Sequence, residues 1–175
     1  MAPPLQPGSH LVTDLTIDEI TDLVGAVPDP EVPVLTIADL GVLRGVEERD
    51  GVLVATITPT YSGCPAMEHI SAQVAEVLAS TGRPHEVRTT LSPAWTTEWI
   101  SAEGRVKLRR FGIAPPQGTP RTGAATPVTI SPTPVPCPRC GSRATEMISE
   151  FGSTACKSLH RCRSCLEPFD HFKDL

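Results

Sequence analysis

The chain has 175 residues, with 15 Lys+Arg against 20 Asp+Glu and a net charge of -5, room for one full domain and a small annex. That balance argues against a basic nucleic-acid footprint over the whole chain, and 39% hydrophobic residues with 13 Gly argue against global disorder. No stretch approaches the ~18 apolar residues of a membrane helix, and Met1–Val12 lacks a positively charged export lead, so a cytoplasmic, non-membrane protein is expected.

Residues 1–14 read as a flexible lead, and residues 15–113 as a mixed domain. Thr16 with Glu19 three residues on fits a capping box, and Ile17, Ile20, Leu23 and Val24 recur at helical spacing until Pro28 and Pro30 stop the helix. Val42–Glu47 and Val52–Thr58 form a hairpin around the favoured turn pair Asp50-Gly51. Pro65 suits a first helical position, and Ile70, Val74, Val77 and Leu78 supply the stripe of a second helix that Gly82 ends. Glu86–Leu91 reads as a third strand, and Thr96–Phe111 as one or two helical segments interrupted by Gly104. The expected fold is α+β: a small mixed sheet with helices on one face, plus a small metal-ribbon domain.

Residues 114–135 hold one charge, no aromatic and many Pro, Thr and Gly, the composition of a Pro-rich linker. Residues 136–175 form the annex. Cys137-Pro-Arg-Cys140 and Cys162-Arg-Ser-Cys165 are two C-x-x-C knuckles separated by 21 residues, slightly beyond the usual zinc-ribbon interval. Two such turns complete a tetrahedral sulfur cage, and four thiolates leave no open catalytic position. Roughly forty residues need such a staple to fold. Structural zinc is the first reading, with disulfides or iron as the other readings of four thiols. His160 and His171 are spare ligand candidates. Cys156 is the odd thiol: a core residue of the ribbon, a substitute ligand or a reactive group.

Cys64 stands at a strand-to-helix junction, where free N–H groups lower a thiol pKa; the bland alternative is a small apolar core residue. Asp29, Glu31 and Asp39 lie in turns that can gather near it. A base would have to come from His69 or His85 for Cys64 to serve as an enzymatic nucleophile.

Asp29-Pro-Glu-Val-Pro33, Ile37-Ala-Asp-Leu-Gly41 and Thr58-Pro-Thr-Tyr-Ser-Gly-Cys-Pro65 resemble the SufT-like metal–sulfur cluster assembly family. With Leu91-Ser-Pro-Ala-Trp95, Trp99-Ile100, Arg110-Phe-Gly-Ile-Ala-Pro-Pro116 and the C-terminal ribbon, the chain resembles the PaaD (also PaaJ) family of phenylacetyl-CoA epoxidase subunits. The resemblance implies a non-catalytic accessory subunit of phenylacetate breakdown. Such a subunit helps assemble or insert iron–sulfur clusters, with the oxygenase components as partners, especially the iron–sulfur flavin reductase. It further implies that Cys64 contacts a transient iron–sulfur cluster, with Asp29 and Glu31 in the same region. No Glu-x-x-His pair of a di-iron bundle and no dinucleotide fingerprint occurs. A Cys64-dependent enzyme and a zinc-ribbon nucleic-acid binder are the competing readings.

Overall fold

The computed structural model describes residues 15–118 and 134–174. The expected lead at 1–14 and residues 119–133 of the expected linker lie outside the described residues. Those described form three α-helices and two three-stranded sheets.

Helix α1, Ile17–Gly25, starts at the expected capping box. The Glu19 amide donates to Thr16 Oγ1 at 3.2 Å, and the Thr16 amide donates to Glu19 Oε2 at 2.8 Å. Ile20 and Val24 are fully buried, whereas Leu23 points outward. Strands β1, Leu43–Arg49, and β2, Val52–Ile57, pair antiparallel. Asp50 and Gly51 at their turn both have positive φ, 52° and 79°, the backbone that tight hairpins require. Helix α2, Ala66–Ala79, then crosses over, and β3, His85–Thr89, lies parallel to β2 in the order β1-β2-β3. Parallel neighbours need such a crossover. Leu53, Ala55 and Ile57 of β2 meet Ile70, Val74 and Leu78 of α2 in one core.

Gly104 does not interrupt the last helical segment. A 3-10 turn, Thr97–Trp99, precedes the break, and α3, Ala102–Phe111, begins where the Ser101 hydroxyl accepts the Gly104 N–H at 2.9 Å. Gly104 is small because α3 approaches the backbone there: a Cβ on it would sit 3.0 Å from the Asp39 carbonyl oxygen.

The ribbon is an antiparallel sheet of β4, Thr145–Ser149, β5, Lys157–Cys162, and β6, Pro168–Phe172. It packs onto the first domain. The Ala114 N–H donates to the Asp170 carbonyl at 2.8 Å, and the Phe172 N–H donates to the Ala114 carbonyl at 2.9 Å. Ile113 belongs to the main core, and its neighbour Ala114 to a second cluster with Val135, Cys137, Cys162 and Phe169. Phe172 is 1% exposed and belongs to the main core. Its ring centroid lies 6.2 Å from that of Trp95, whose indole N–H donates to the Leu40 carbonyl at 2.8 Å.

Cys156 also lies in the main core. The expectation that it packs inside the ribbon is corrected. The β5–β6 pair turns that end of the ribbon toward the other domain, and a buried thiol follows the apolar surface there.

Phe172→Ala should destabilise the folded chain by roughly 3–5 kcal/mol. Urea unfolding followed by tryptophan fluorescence measures this. A change within a few tenths of a kcal/mol would mean that the ribbon contributes nothing to the first domain's core.

Candidate functional site

Two groups of chemistry-bearing side chains form, one at each end of β5. The first grows from the Asp29-Pro-Glu loop. Asp29 is buried, and its Oδ1 accepts the N–H groups of Glu31 and Val32 at 2.8 and 2.7 Å. This Asx turn aims Glu31 at the ribbon. Cys156 Sγ stands 3.9 Å from Glu31 Oε2, and Lys157 Nζ donates to the Glu31 carbonyl oxygen at 3.4 Å. Thr154 Oγ1 lies 3.1 Å from the Cys156 sulfur.

Cys64 enters from the other side, where its N–H donates to the Tyr61 carbonyl at 3.1 Å just ahead of α2. It is half-buried and packs against the main core that contains Cys156. The charges of Glu31 and Asp29 act on both thiols. Burial raises the Tyr61 phenol, and Cys64, Glu31 and Cys156 raise it further. The structure therefore brings together Cys64, Glu31, Asp29, Cys156 and Tyr61.

The expectation of a lowered Cys64 pKa is corrected. Burial pushes this thiol above its ordinary value of 9.0. The Ala66 N–H and the Thr60 hydroxyl stabilise the thiolate, but burial with the carboxylates of Glu31 and Asp29 outweighs them. Burial likewise raises Cys156, with Glu31 adding to it. Glu31 is itself raised, first by burial and then by Asp29, while Lys157 and Cys156 offset part of that. His69 and His85 are exposed, and neither is among the groups that shift Cys64.

Asp39 does other work. Its Oδ2 accepts the Thr36 N–H at 3.0 Å and pairs with Lys107 Nζ at 2.9 Å, and its Oδ1 accepts the Ser101 hydroxyl at 3.3 Å. Burial opposes its charge, but the Thr36 amide and the Lys107 ammonium win and hold the carboxyl below its ordinary 3.8. Asp39 ties α3 to the 36–42 turn.

The second group is the four-cysteine set. The sulfurs of Cys137, Cys140, Cys162 and Cys165 all lie within 4.8 Å of one another. Cys137–Cys165 is 3.8 Å and Cys140–Cys162 is 3.6 Å. Sulfurs about 2.3 Å from one tetrahedral ion stand about 3.8 Å apart, so these residues fit a closed four-thiolate metal site. N–H groups of Cys165 and Ser164 point at the Cys162 sulfur, at 3.5 and 3.4 Å, and hold its thiol down to about 6. His160 and His171 stand apart from the set, flanking the Ser158 hydroxyl at 3.0 and 3.4 Å. Among the described residues no helix is long and apolar enough to cross a membrane.

The partnership of Cys156 with Glu31 is the site feature that sequence reasoning missed. The available signal was that Cys156 is surplus to a complete four-cysteine cage.

Family comparison matches two parts of the chain. Residues 17–89 match the iron–sulfur cluster assembly protein family, and residues 122–173 match the PaaD zinc beta ribbon domain. The chain is 49% identical over 158 residues to a "Putative 1,2-phenylacetyl-CoA epoxidase" subunit of Escherichia coli (strain K12), across 90% of this chain and 92% of that protein. It is 31% identical over 96 residues to an "Fe-S protein maturation auxiliary factor" of Porphyromonas gingivalis (strain ATCC BAA-308 / W83), across 53% of this chain and 90% of that protein. A crystal structure of a domain of unknown function, DUF59, from Bacillus anthracis aligns over 53% of this chain and 90% of that chain, with 28% identity and a TM-score of 0.49. The class defined is an iron–sulfur-assembly domain carrying a zinc-ribbon annex. Within that class, the chain belongs to the PaaD family of phenylacetyl-CoA epoxidase subunits.

Two outcomes follow from the charges. Alkylation of Cys64 by iodoacetamide, mapped by mass, should keep accelerating past pH 9, and Glu31→Gln should speed it roughly two- to fivefold at pH 8 by removing a like charge. A rate that levels off below pH 8 would return control to the helix start. Asp39, with its folded pKa depressed, contributes stability that is present above 3.8 and lost as pH falls through the lower folded value. Asp39→Ala should cost roughly 1–3 kcal/mol at pH 7 and flatten the acid limb of a stability–pH curve. An unchanged acid limb would remove Asp39 from that role.

Proposed function

We propose that this chain is a cytoplasmic, non-catalytic maturation subunit of the phenylacetyl-CoA epoxidase system. Its first domain handles an iron–sulfur cluster transiently at Cys64, with Glu31 and Asp29 shaping the site, and its client is the iron–sulfur flavin reductase. Cys137, Cys140, Cys162 and Cys165 hold one structural zinc ion. The observation that carries this reading is the joining, in one chain, of an iron–sulfur assembly match to near full-length likeness to an epoxidase subunit.

The site chemistry supports it. Thiols are soft ligands for iron and for iron–sulfur clusters, and Cys64 is accessible enough to receive cargo. A nucleophilic enzyme would activate Cys64 by an adjacent base or a lowered pKa, and the thiol's pKa is raised. The zinc ion would contribute folding free energy on the order of 10 kcal/mol to a sheet with little core of its own.

Cells making the Cys64→Ala protein should fail to grow on phenylacetate, and the co-expressed reductase should be poor in iron and sulfide. Matured oxygenase and reductase should keep oxidising phenylacetyl-CoA after this protein is removed. A continuous requirement at each turnover would make it a structural or catalytic subunit instead. Metal analysis of the purified chain should give one zinc ion. Its removal should melt the ribbon and lower the unfolding midpoint of the first domain too, because Phe172 and Cys156 belong to that core. Iron in place of zinc would overturn the metal assignment.

A further inference from the structure

Strand β3 forms one edge of the first domain's sheet, and its outer side has no backbone partner among the described residues. The Leu53 N–H donates to the Pro84 carbonyl at 2.8 Å, and the Thr90 N–H to the Ile57 carbonyl at 2.9 Å. Backbone groups alternate sides along a strand, so Glu86 and Arg88 share the β2 side with Pro84 and Thr90, and His85, Val87 and Thr89 aim their N–H and C=O groups outward. Proteins commonly blunt such an edge with a bulge or a cover. The opposite edge, β1, breaks register between Leu43 and Gly45, whereas β3 pairs with β2 in unbroken register. Helix α2 does not close over the β3 edge. Ser71, Ala72 and Ala75, all small, stand on the helix beside it and leave a groove of about 670 Å³ along Val87 and Thr89.

The side chains of this edge complement themselves. Val87 packs against the main core beneath α2, so Glu86 and Arg88 project from the opposite face of the sheet. Both are exposed, and Arg88 Nε and Nη2 donate to the Glu86 carboxylate at 2.8 and 2.9 Å.

We propose that β3 pairs antiparallel with β3 of a second copy of this chain about a two-fold axis at Val87, joining the two sheets into one. That axis sets Val87 opposite its own counterpart, His85 opposite Thr89, and Glu86 opposite Arg88. The residues whose backbone groups point outward then fall at hydrogen-bonded pairs, which exchange both bonds. Glu86 and Arg88 fall at non-hydrogen-bonded pairs, where side chains come closest and opposite charges stabilise. Each salt bridge within a chain is exchanged for one between chains, so no charge loses its partner. An axis at His85 would set Glu86 opposite Pro84, and an axis at Thr89 would set Arg88 opposite Thr90. Neither matches opposite charges. Charges on an edge deter pairing in general; these favour a single register. The contact uses the same patch on both copies and therefore closes at two.

The test uses the full zinc-loaded chain. Sedimentation equilibrium at roughly 100 µM, where a dimer of micromolar dissociation constant is populated, should give about twice 18.7 kDa. Glu86→Arg and Arg88→Glu each set like charges opposite one another at two places, and each should weaken the dimer roughly tenfold. An equimolar mixture of the two variants should dimerise again, because each carries the charges the other lacks. That rescue does not depend on how either variant alone behaves. In the wild type, concentrating the protein should slow amide hydrogen exchange at Val87 and Thr89 roughly tenfold, while the Glu86 and Arg88 amides, already bonded to β2, change little. A monomer at that concentration, a dimer indifferent to both single variants, a mixture that stays monomeric or an unprotected Val87 amide would overturn the proposal. A monomer whose Val87 amide becomes protected only when an oxygenase component is added would overturn it too, and would assign the edge to a strand of that partner.

Discussion

The packing of Phe172 against Trp95 in the first domain's core is the contact on which the rest of the arrangement depends. A three-stranded ribbon of about forty residues cannot bury enough surface to stand alone. It is held at both ends of β5: by the four-cysteine cage at Cys162, and by the first domain's core beyond Lys157. At about 3.3 Å per residue, the six-residue strand spans about 20 Å. The four-cysteine cage therefore lies about a strand's length from Cys156. Its influence on the thiol corner is mechanical, because the cage fixes the strand whose other end presents Cys156.

Docking also determines the electrostatics of that corner. Glu31 meets ribbon groups at this corner, with Cys156 and Lys157 both acting on its carboxylate. Under the ribbon it is partly desolvated, and it faces Asp29 as well as the thiols. Lys157 returns some favourable interaction, with its ammonium 4.0 Å from Asp170 and near the Glu31 backbone.

Features set by neighbouring residues were legible in the sequence. Thr16 and Glu19 declared the start of α1, Asp50-Gly51 declared the hairpin, and the two knuckles declared the cage, because each depends on contacts a few residues apart. What was illegible depends on distant chain segments. Gly104 reads as a helix breaker until the Asp39 carbonyl is known to lie against it. Asp39 reads as a companion of Cys64 until Lys107, on α3, claims its carboxylate. Cys156 reads as a ribbon thiol because nothing local reports that Glu31, 125 positions earlier, lies 3.9 Å away. The Cys64 pKa reversed for the same reason: the helix start is local, whereas its burial and part of its electrostatic surroundings are not.

That reversal bears on which chemistry suits the corner. A thiol above 9.0 is mostly protonated at neutral pH, so it makes a poor free nucleophile and resists oxidation. Neither property hinders metal binding, because a metal displaces the proton as it bonds to sulfur. Raised thiols therefore separate two outcomes that a lowered pKa would merge: they remain largely unreactive toward stray electrophiles, yet they can exchange onto iron brought to them by another thiolate complex. Proton competition weakens the resulting hold relative to a low-pKa thiolate pair. A weaker hold makes a tight resident site harder to build and a handover site easier. In the ribbon cage, backbone N–H groups lower the Cys162 thiol to about 6, while Cys165, against a backbone hydrogen bond at Glu167, is raised to about 12 by burial and the neighbouring thiols, and four sulfurs surround one point. One chain thus carries a closed sulfur site suited to permanent metal and, at the other end of β5, thiols whose pKa burial raises.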